Sequence, residues 1–216
     1  QWETSSGRAM GGPLRGHQGQ VRTAQYSPDG RRIVSAGEDG TVRQWDGTSG
    51  REIGAPLRGH QGGVRSARYS ADGRRIVSAG EDGTLRQWDA KSGQEIGEPL
   101  RGHQGQVGTA AYSADGRRIV SAGEDGTLRQ WDARSGQAIG EPLRGHQGDV
   151  GTVAYSADGI RIVSAGIDGT VRQWLSSWSD SIRLVCQSLR GYQIMVSPVT
   201  DVEHEAKRTC ERWGWH

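Results

Sequence analysis

The chain of 216 residues contains 35 glycines, no phenylalanine and 32% hydrophobic residues, which is poor material for one large central core. A repeat architecture tolerates this composition better, because its core is divided between thin stacked sheets. The net charge is +2, with 27 basic and 25 acidic side chains mixed along the sequence. This balance argues against a nucleic-acid-binding or anionic-membrane surface, and no apolar stretch approaches the roughly 20 residues of a transmembrane helix.

The sequence repeats itself with a period of 43 residues. The motif Pro-Leu-Arg-Gly-His begins each of four copies, at Pro13, Pro56, Pro99 and Pro142. A Gln-Trp closes each copy, at Trp45, Trp88, Trp131 and Trp174. A fixed period of roughly 40 to 45 residues is typical of repeat proteins, whose units bury their apolar faces only against their neighbours.

Four short strands are predicted within each copy, and in the first copy they cover residues 21–26, 31–36, 41–45 and about 51–57. Turn chemistry separates the strands. Asp29-Gly30 follows the first strand, and Asp39-Gly40 between the second and third is a strong hairpin signal. No segment before residue 174 has a sustained helical period of apolar residues, so the repeats are predicted to be all-β.

The motifs within each period resemble the WD-repeat β-propeller family. Each copy has a Gly-His near its start, a Tyr-Ser-(Pro/Ala)-Asp-Gly turn, an Ile-Val-Ser-Ala-Gly strand, an Asp-Gly turn and the closing Gln-Trp. The resemblance covers about residues 1–174. It implies a β-propeller of four-stranded antiparallel blades over residues 16–174, with blades that start near residues 16, 59, 102 and 145.

The resemblance also implies a buried, hydrogen-bonded tetrad of His, Ser, Asp and Trp in every blade. A buried indole N–H and hydroxyl must be paired, and a carboxylate held against an imidazole satisfies both groups where water is absent. The four implied tetrads are His17, Ser35, Asp39 and Trp45; His60, Ser78, Asp82 and Trp88; His103, Ser121, Asp125 and Trp131; and His146, Ser164, Asp168 and Trp174.

The Ser, His and Asp of each copy also invite a catalytic interpretation. A catalytic triad needs an exposed serine beside an oxyanion hole, with one set for each active site. Here the trio occurs four times, each time with an indole donor, and no serine of the trio stands in a Gly-x-Ser-x-Gly elbow. We therefore expect a structural role for the trio, no enzyme activity and no cofactor.

Positions that vary between the otherwise near-identical copies are free of the packing constraint that fixes the rest, and four of them matter. The first holds Gln20, Gly63, Gln106 and Asp149. The second holds Arg22, Arg65, Gly108 and Gly151. The third holds Gln25, Arg68, Ala111 and Ala154. The fourth holds Glu38, Glu81, Glu124 and Ile167.

In WD-repeat propellers the second and fourth of these positions face the top of the central channel, where partners commonly dock. The resemblance therefore implies an asymmetric, partner-binding top rim, composed of Arg22, Arg65, Gly108, Gly151, Glu38, Glu81, Glu124, Ile167, Gln20 and Asp149. Such a rim suits a peptide or loop of mixed charge. Neutral drift between duplicated copies, with Arg and Glu pairing across blades, is an equal alternative.

The predicted function is a non-catalytic protein-interaction or sensor platform, part of a larger signalling protein. A purely structural scaffold, or a recently amplified propeller without a dedicated partner, is the alternative. A small-molecule or nucleic-acid binder ranks below both. No membrane partner is expected.

The two ends of the repeats have matching deficits. Trp2 lies 43 residues before Trp45, so residues 1–15 are an orphan strand from a preceding blade, while the copy that ends at Trp174 lacks a fourth strand. In closed rings such an offset lets the N-terminal strand complete the last blade. Three resolutions stay open: a homodimer with an eight-bladed ring, a fragment of a longer chain, and a four-bladed monomer. We expect a fragment biologically and a homodimer for the isolated chain.

The sequence changes character after Trp174. In the tail of residues 175–216, capping boxes at Ser177 and Thr200 each precede apolar residues at helical spacing, which predicts a helical hairpin. The tail is similar to the ends of bacterial multidomain signalling ATPases that carry WD-repeat sensors.

The tail also holds both cysteines, Cys186 and Cys210. Together with His204 and His216 they fit no zinc signature, so no metal site is expected. Buried thiols are the preferred interpretation, with a disulfide between the two as the alternative. Two cysteines are too few for a disulfide framework, which favours a reducing, cytoplasmic compartment.

Overall fold

The structure is a computed structural model that describes residues 2–3, 5, 8–9 and 12–176 of the chain. All regular elements in these ranges are β-strands, and none of these residues belongs to a helix that could span a membrane. The strands are β1 (Trp2–Glu3), β2 (Arg8–Ala9), β3 (Val21–Tyr26), β4 (Arg32–Gly37), β5 (Thr41–Asp46), β6 (Leu57–Arg58), β7 (Val64–Tyr69), β8 (Arg75–Gly80), β9 (Thr84–Asp89), β10 (Leu100–Arg101), β11 (Val107–Tyr112), β12 (Arg118–Gly123), β13 (Thr127–Asp132), β14 (Leu143–Arg144), β15 (Val150–Tyr155), β16 (Arg161–Gly166) and β17 (Val171–Leu175).

Four sheets, which we call blades 1 to 4, follow one another along the chain. Blade 1 consists of β3 to β6, blade 2 of β7 to β10, blade 3 of β11 to β14 and blade 4 of β15 to β17. Neighbouring strands pair antiparallel in every blade. The predicted all-β fold of four-stranded antiparallel blades is confirmed, although blade 4 has three strands in the described part of the chain.

The fourth strand of blade 1 is shorter than the predicted range 51–57. Trp45 forms an isolated bridge with Glu52, and regular pairing resumes only at β6, opposite Thr41 and Val42. Gly54 lies between these two contacts with a φ of 70°, a left-handed conformation that interrupts a strand. The outer edge of the blade is therefore held by two short contacts rather than by one continuous ladder.

The predicted Asp-Gly hairpins occur between the second and third strands. Gly40 has a φ of 72°, and a Cβ added there would lie 3.0 Å from the carbonyl oxygen of Gly62 in the next blade. Asp39 accepts hydrogen bonds from the N–H and hydroxyl of Thr41, so its side chain fixes the turn. Both residues of the turn are thus required locally, one for conformation and one for hydrogen bonding.

The hydrophobic core lies between blades rather than within them. Val34 and Val42 of blade 1 are fully buried against Val64 and Ile76 of blade 2, in one cluster that the two blades share. The equivalent clusters join blade 2 to blade 3 and blade 3 to blade 4. Each blade therefore depends on its neighbour for burial, as the glycine-rich composition predicts.

The end blades leave their outer faces uncovered in the described part of the chain. Val21 and Tyr26 of blade 1 are 48% and 53% exposed, and Val171 of blade 4 is 73% exposed. The strands β1 and β2 pair only with each other there, and β17 pairs only with β16. Closure of the ring is accordingly not shown.

The predicted helical hairpin begins at Ser177 and lies outside the described residues, as do both cysteines.

Candidate functional site

The structure joins His17, Ser35, Asp39 and Trp45 in one hydrogen-bonded chain. Trp45 Nε1 donates to Ser35 Oγ at 2.8 Å, and His17 Nε2 lies 2.7 Å from the same hydroxyl oxygen. His17 Nδ1 lies 3.0 Å from Asp39 Oδ1. Because Asp39 is an acceptor, His17 donates to it through Nδ1, and in the neutral tautomer with Nδ1 protonated Nε2 accepts the hydroxyl proton of Ser35.

The same three bonds recur in blades 2, 3 and 4, with His to Asp distances of 3.0 to 3.1 Å. The His to Ser distance is 2.8 Å in each of these blades. The Trp to Ser distance is 2.9 Å in each. Ser78 and Ser121 are fully buried. The network is therefore a repeated internal structure.

Hydrogen bonding keeps the tetrad carboxylates ionised. Burial alone would raise the pKa of Asp39, but bonds from the N–H of Gln18, from Thr41 and from His17 outweigh it and hold that pKa at about 2. The pKa values of Asp82, Asp125 and Asp168 are lowered as well. Burial lowers the pKa of His103 despite the neighbouring carboxylate. In blade 3 these shifts favour a neutral imidazole beside an ionised carboxylate.

This geometry does not suit nucleophilic catalysis by the trio. The hydroxyl oxygen of each tetrad serine already accepts the indole N–H and contacts the imidazole. It is also buried, so a substrate could not reach it without opening the blade. Within the described residues no group of three or more His, Cys, Asp or Glu side chains could hold a metal ion.

The variable position after the first-strand valine lies in a β-bulge in every blade. The pairing register of the first and second strands shifts around Arg22, Arg65, Gly108 and Gly151. A bulge leaves one residue out of the ladder and redirects its side chain. The bulge thus gives this position freedom to vary without disturbing the ladder. The sequence comparison did not reveal the bulge, because residue 22 continues the strand pattern.

The rim residues of blades 1 to 3 form ion pairs. Arg22 Nη2 donates to Glu38 Oε1 at 2.6 Å within blade 1. Arg65 lies between two carboxylates, 3.9 Å from Glu81 in its own blade and 3.6 Å from Glu124 in the next. Arg65 and Glu124 therefore pair across neighbouring blades, as the alternative of neutral drift between copies describes.

The rim changes at blades 3 and 4, where the arginine is replaced by glycine. A Cβ added at Gly108 would make an ordinary contact of 3.4 Å with the carbonyl oxygen of Val150 and lie 3.9 Å from Asp149 Oδ1, whereas one added at Gly151 would meet no described atom within 4 Å. Asp149 Oδ1 and Gln106 Oε1 are buried without a hydrogen-bond partner among the described residues. Ile167 replaces the glutamate and is 75% exposed. This sector has space and unsatisfied acceptors.

The remaining variable position lies away from the rim. Gln25, Arg68, Ala111 and Ala154 stand three residues beyond the bulge, opposite Val34, Val77, Val120 and Val163. Burial lowers the pKa of Arg68. This position therefore lies within the paired part of the first strand and not on the rim.

A polar contact between neighbouring blades escaped the sequence comparison. Tyr69 Oη donates to Gln44 Oε1 of the preceding blade at 2.9 Å, and the same bond joins Tyr112 to Gln87 and Tyr155 to Gln130. Both residues are constant in the repeats, so only their separation of 25 residues across two copies could have suggested the pair.

Comparison with known families agrees with this geometry. The family described as WD domain, G-beta repeat matches residues 11–46, 51–89, 93–132 and 137–174. The chain belongs to the WD-repeat family. No curated protein sequence matches the chain. WD repeats generally mediate interactions between proteins and typically form non-enzymatic scaffolds, so the predicted class of protein-interaction platform agrees with the family.

Proposed function

We propose that the chain binds a protein or peptide on the top rim and acts as a non-catalytic interaction platform. The observation that carries the proposal is the placement of variation. In blades 1 and 2 the bulge arginine and the hairpin glutamate meet at one edge of the blade, as in the contact between Arg22 and Glu38. The tetrads beneath them repeat almost without change, so the framework is constant and the rim differs from blade to blade.

The charge on the rim favours a partner with a basic side chain opposite blades 3 and 4. In blade 2 the arginine at the bulge reaches the glutamate of the next blade, as Arg65 reaches Glu124 at 3.6 Å. At Gly108 the corresponding guanidinium is absent, and the side-chain atoms Asp149 Oδ1 and Gln106 Oε1 are buried without a hydrogen bond in the described part. A guanidinium from the partner would form charge-assisted bonds with the carboxylate of Glu124 in blade 3, whose side chain is 40% exposed.

The arginines of blades 1 and 2 supply the opposite charge on the same rim. Arg22 and Arg65 are partly exposed, with side-chain exposures of 31% and 29%. The glutamates paired with these arginines also accept hydrogen bonds from backbone N–H groups, Glu38 from Gln20 and Glu81 from Gly63. A carboxylate of the partner could contact the arginines without breaking those backbone bonds. The partner is therefore a peptide or loop of mixed charge.

A peptide library displayed on phage and selected on the immobilised chain tests this function. The decisive variant combines Arg22→Ala, Arg65→Ala, Glu38→Ala, Glu81→Ala and Glu124→Ala. We expect at least a tenfold loss of affinity for the selected peptides, measured by fluorescence anisotropy, and an enrichment of arginine or lysine among them.

The matched control replaces arginines in the turns that follow the first strands, with Arg31→Ala and Arg74→Ala. Both are exposed and lie away from the rim. The control is expected to bind as the wild type does. Unchanged binding by the rim variant would instead favour a purely structural scaffold.

The proposal extends to assembly and context. We place the chain in the cytoplasm as the sensing part of a larger signalling protein, and we propose that the isolated chain forms a homodimer with an eight-bladed ring. The similarity of the tail to the ends of signalling ATPases supports the first part. The uncovered faces of blades 1 and 4 support the second. Light scattering tests the second part, with an expected mass of twice 23.3 kDa.

A further inference from the structure

We infer that two copies join head to tail through two seams that each reproduce the contact between neighbouring blades, so that blade 1 of one copy packs on blade 4 of the other. This inference rests on the proposed homodimer and specifies its surfaces. The occupant of each uncovered face is a second copy of this chain.

The chain already contains the required contact three times. One face of each preceding blade presents a second-strand valine and a third-strand aliphatic residue, and the following blade covers them with its first strand. Val34 and Val42 are fully buried under Val64 in this way. Each blade therefore has a leading face and a trailing face that fit each other.

The two ends of the described segment present one face of each kind. On the leading face of blade 1, Val21 is 48% exposed, whereas its equivalent Val64 is fully buried. On the trailing face of blade 4, Val163 and Val171 are 44% and 73% exposed, whereas the equivalent Val34 and Val42 are fully buried. The uncovered faces are thus complementary rather than merely apolar.

The polar groups of the seam are complementary as well. Tyr26 occupies the position of Tyr69, and Gln173 occupies the position of Gln44, the pair that joins blades 1 and 2 at 2.9 Å. Tyr26 is 53% exposed, and in the described part of the chain the side chains of Tyr26 and Gln173 make no hydrogen bond, although their backbones pair within their own blades. A bond from Tyr26 Oη to Gln173 Oε1 of the second copy would complete the series.

Blade 4 has no outer strand among residues 12–176, and a segment that matches such a strand precedes blade 1. Within blades 1 to 3 the third strand pairs with a Leu that precedes the next blade, as Val42 pairs with Leu57. Leu14 occupies the position of Leu57 and is 39% exposed. At the seam Leu14 of one copy would pair with Val171 of the other, which gives β17 its missing neighbour.

Twofold symmetry makes both seams identical. A head-to-tail interface forms a closed ring only when the rotation that relates successive copies adds up to a full turn. With a rotation of half a turn, two chains of four blades form one ring without a free edge. Once the first seam has formed, the second is effectively intramolecular and forms at a high local concentration.

Cysteine cross-linking of the full-length chain tests the seam and its occupant. In a background with Cys186→Ser and Cys210→Ser, we combine Leu14→Cys and Val171→Cys and oxidise the protein under mild conditions. A covalent dimer on a non-reducing gel is the expected product. A cross-link at the mass of one chain would mean that the chain closes on itself, and no cross-link would mean that the faces do not meet; either result overturns the inference.

Disruption of the trailing face supplies the second test. Val171→Lys is expected to convert the dimer to a monomer in light scattering while the circular dichroism spectrum stays unchanged, because residue 171 is exposed within the single chain. Ile167→Lys, an equally exposed position on the rim of the same blade, is the matched control and should remain dimeric.

The outcomes separate this inference from the proposals on which it rests. A dimer that Val171→Lys leaves intact would overturn the seam but not the homodimer. A wild-type monomer at every concentration, or an open series of larger species, would overturn both the seam and the homodimer. Peptide binding by the rim is measured separately and would stand in either case.

Discussion

At the scale of single residues, the tetrad serine is the group on which the others depend. Ser78 is fully buried and is the only hydrogen-bond acceptor that the structure gives to Trp88 Nε1. The same hydroxyl is 2.8 Å from His60 Nε2, and His60 in turn fixes Asp82. Loss of one hydroxyl would therefore leave two buried groups without partners.

We expect Ser78→Ala to lower the free energy of unfolding by about 1–3 kcal/mol for each buried group left unpaired. Unfolding in urea, followed by tryptophan fluorescence, measures the change. Ser92→Ala removes a serine that bonds Asp89 on the exposed surface, and we expect it to cost much less. If both variants lost the same free energy of unfolding, the tetrad hydroxyl would stabilise the fold no more than an exposed serine does.

Acid should destabilise the protein through the tetrad carboxylates. The pKa of Asp39 is lowered to about 2 in the folded chain, whereas an unfolded aspartate titrates near 3.9. A lowered carboxyl pKa stabilises the fold above the unfolded value, and this contribution is lost as pH falls from about 4 to about 2. We expect the urea midpoint to fall steeply in that window.

The variant Asp39→Asn isolates this effect, because an amide does not titrate. We expect a shallower dependence of the urea midpoint on pH between 4 and 2, on a fold that is already weaker at neutral pH. Glu98→Gln, on the exposed surface, is the control and should keep the wild-type slope. If the urea midpoint of Asp39→Asn depended on pH as steeply as that of the wild type, Asp39 would not contribute to acid unfolding.

At the scale of elements, the hairpin between the second and third strands also contacts the next blade. Gly40 adopts a left-handed φ of 72° and lies close to the carbonyl of Gly62. The turn is therefore restricted twice, once by its own backbone and once by its neighbour. The bulge position at Gly151 has neither restriction, since an added Cβ would meet no atom within 4 Å.

These two glycines make a matched pair of substitutions. We expect Gly40→Ala to cost about 1–2 kcal/mol for the left-handed conformation alone, with a further penalty from the contact with Gly62. Gly151→Ala should change the unfolding free energy by less than about 0.5 kcal/mol. Thermal unfolding of both variants at one protein concentration checks the contrast, and a tolerated Gly40→Ala would contradict it.

At the scale of the whole molecule, stability is a property of contacts between blades. Each shared core is built from two neighbouring sheets, as Val77 and Leu85 of blade 2 share a cluster with Val107 and Ile119 of blade 3. The end blades each lack one such contact among the residues that the structure describes. Association with a second copy would supply both, so stability and assembly are coupled.

We accordingly expect the melting temperature to rise with protein concentration, because the folded dimer is favoured by mass action. Differential scanning calorimetry over a hundredfold range of concentration measures the effect. In Val171→Lys the melting temperature should be lower and independent of concentration. A wild-type melting temperature that does not depend on concentration would contradict the coupling.

The repeat allowed much of the architecture to be predicted from the sequence. Period and turn signals located the first three strands of a copy within one or two residues, as for β4, predicted at 31–36 and found at Arg32–Gly37, whereas the fourth strand, predicted at about 51–57, is only Leu57–Arg58. The family resemblance named the four residues that the hydrogen bonds join in each blade, such as His17 with Ser35. These features could be predicted because they lie within one period.

The features that were missed depend on contacts between periods or on local backbone irregularity. The bond from Tyr69 to Gln44 joins two copies, and each residue looks ordinary within its own strand. The bulge at Arg22 has no residue signature, since arginine and glycine both occupy it. The closing of the ring depends on an angle between blades, which no single repeat encodes.

The Tyr to Gln bond and the shared valine clusters recur with the same residues at every junction. One consequence concerns evolution rather than stability. Since the junctions between the described blades share this bond and this core and differ mainly at the rim, a gene could gain or lose one unit of 43 residues and the core of the new junction would fit at once. The number of blades is therefore selected only by whether the final arc closes, and ring size can change by duplication without any new interface having to evolve.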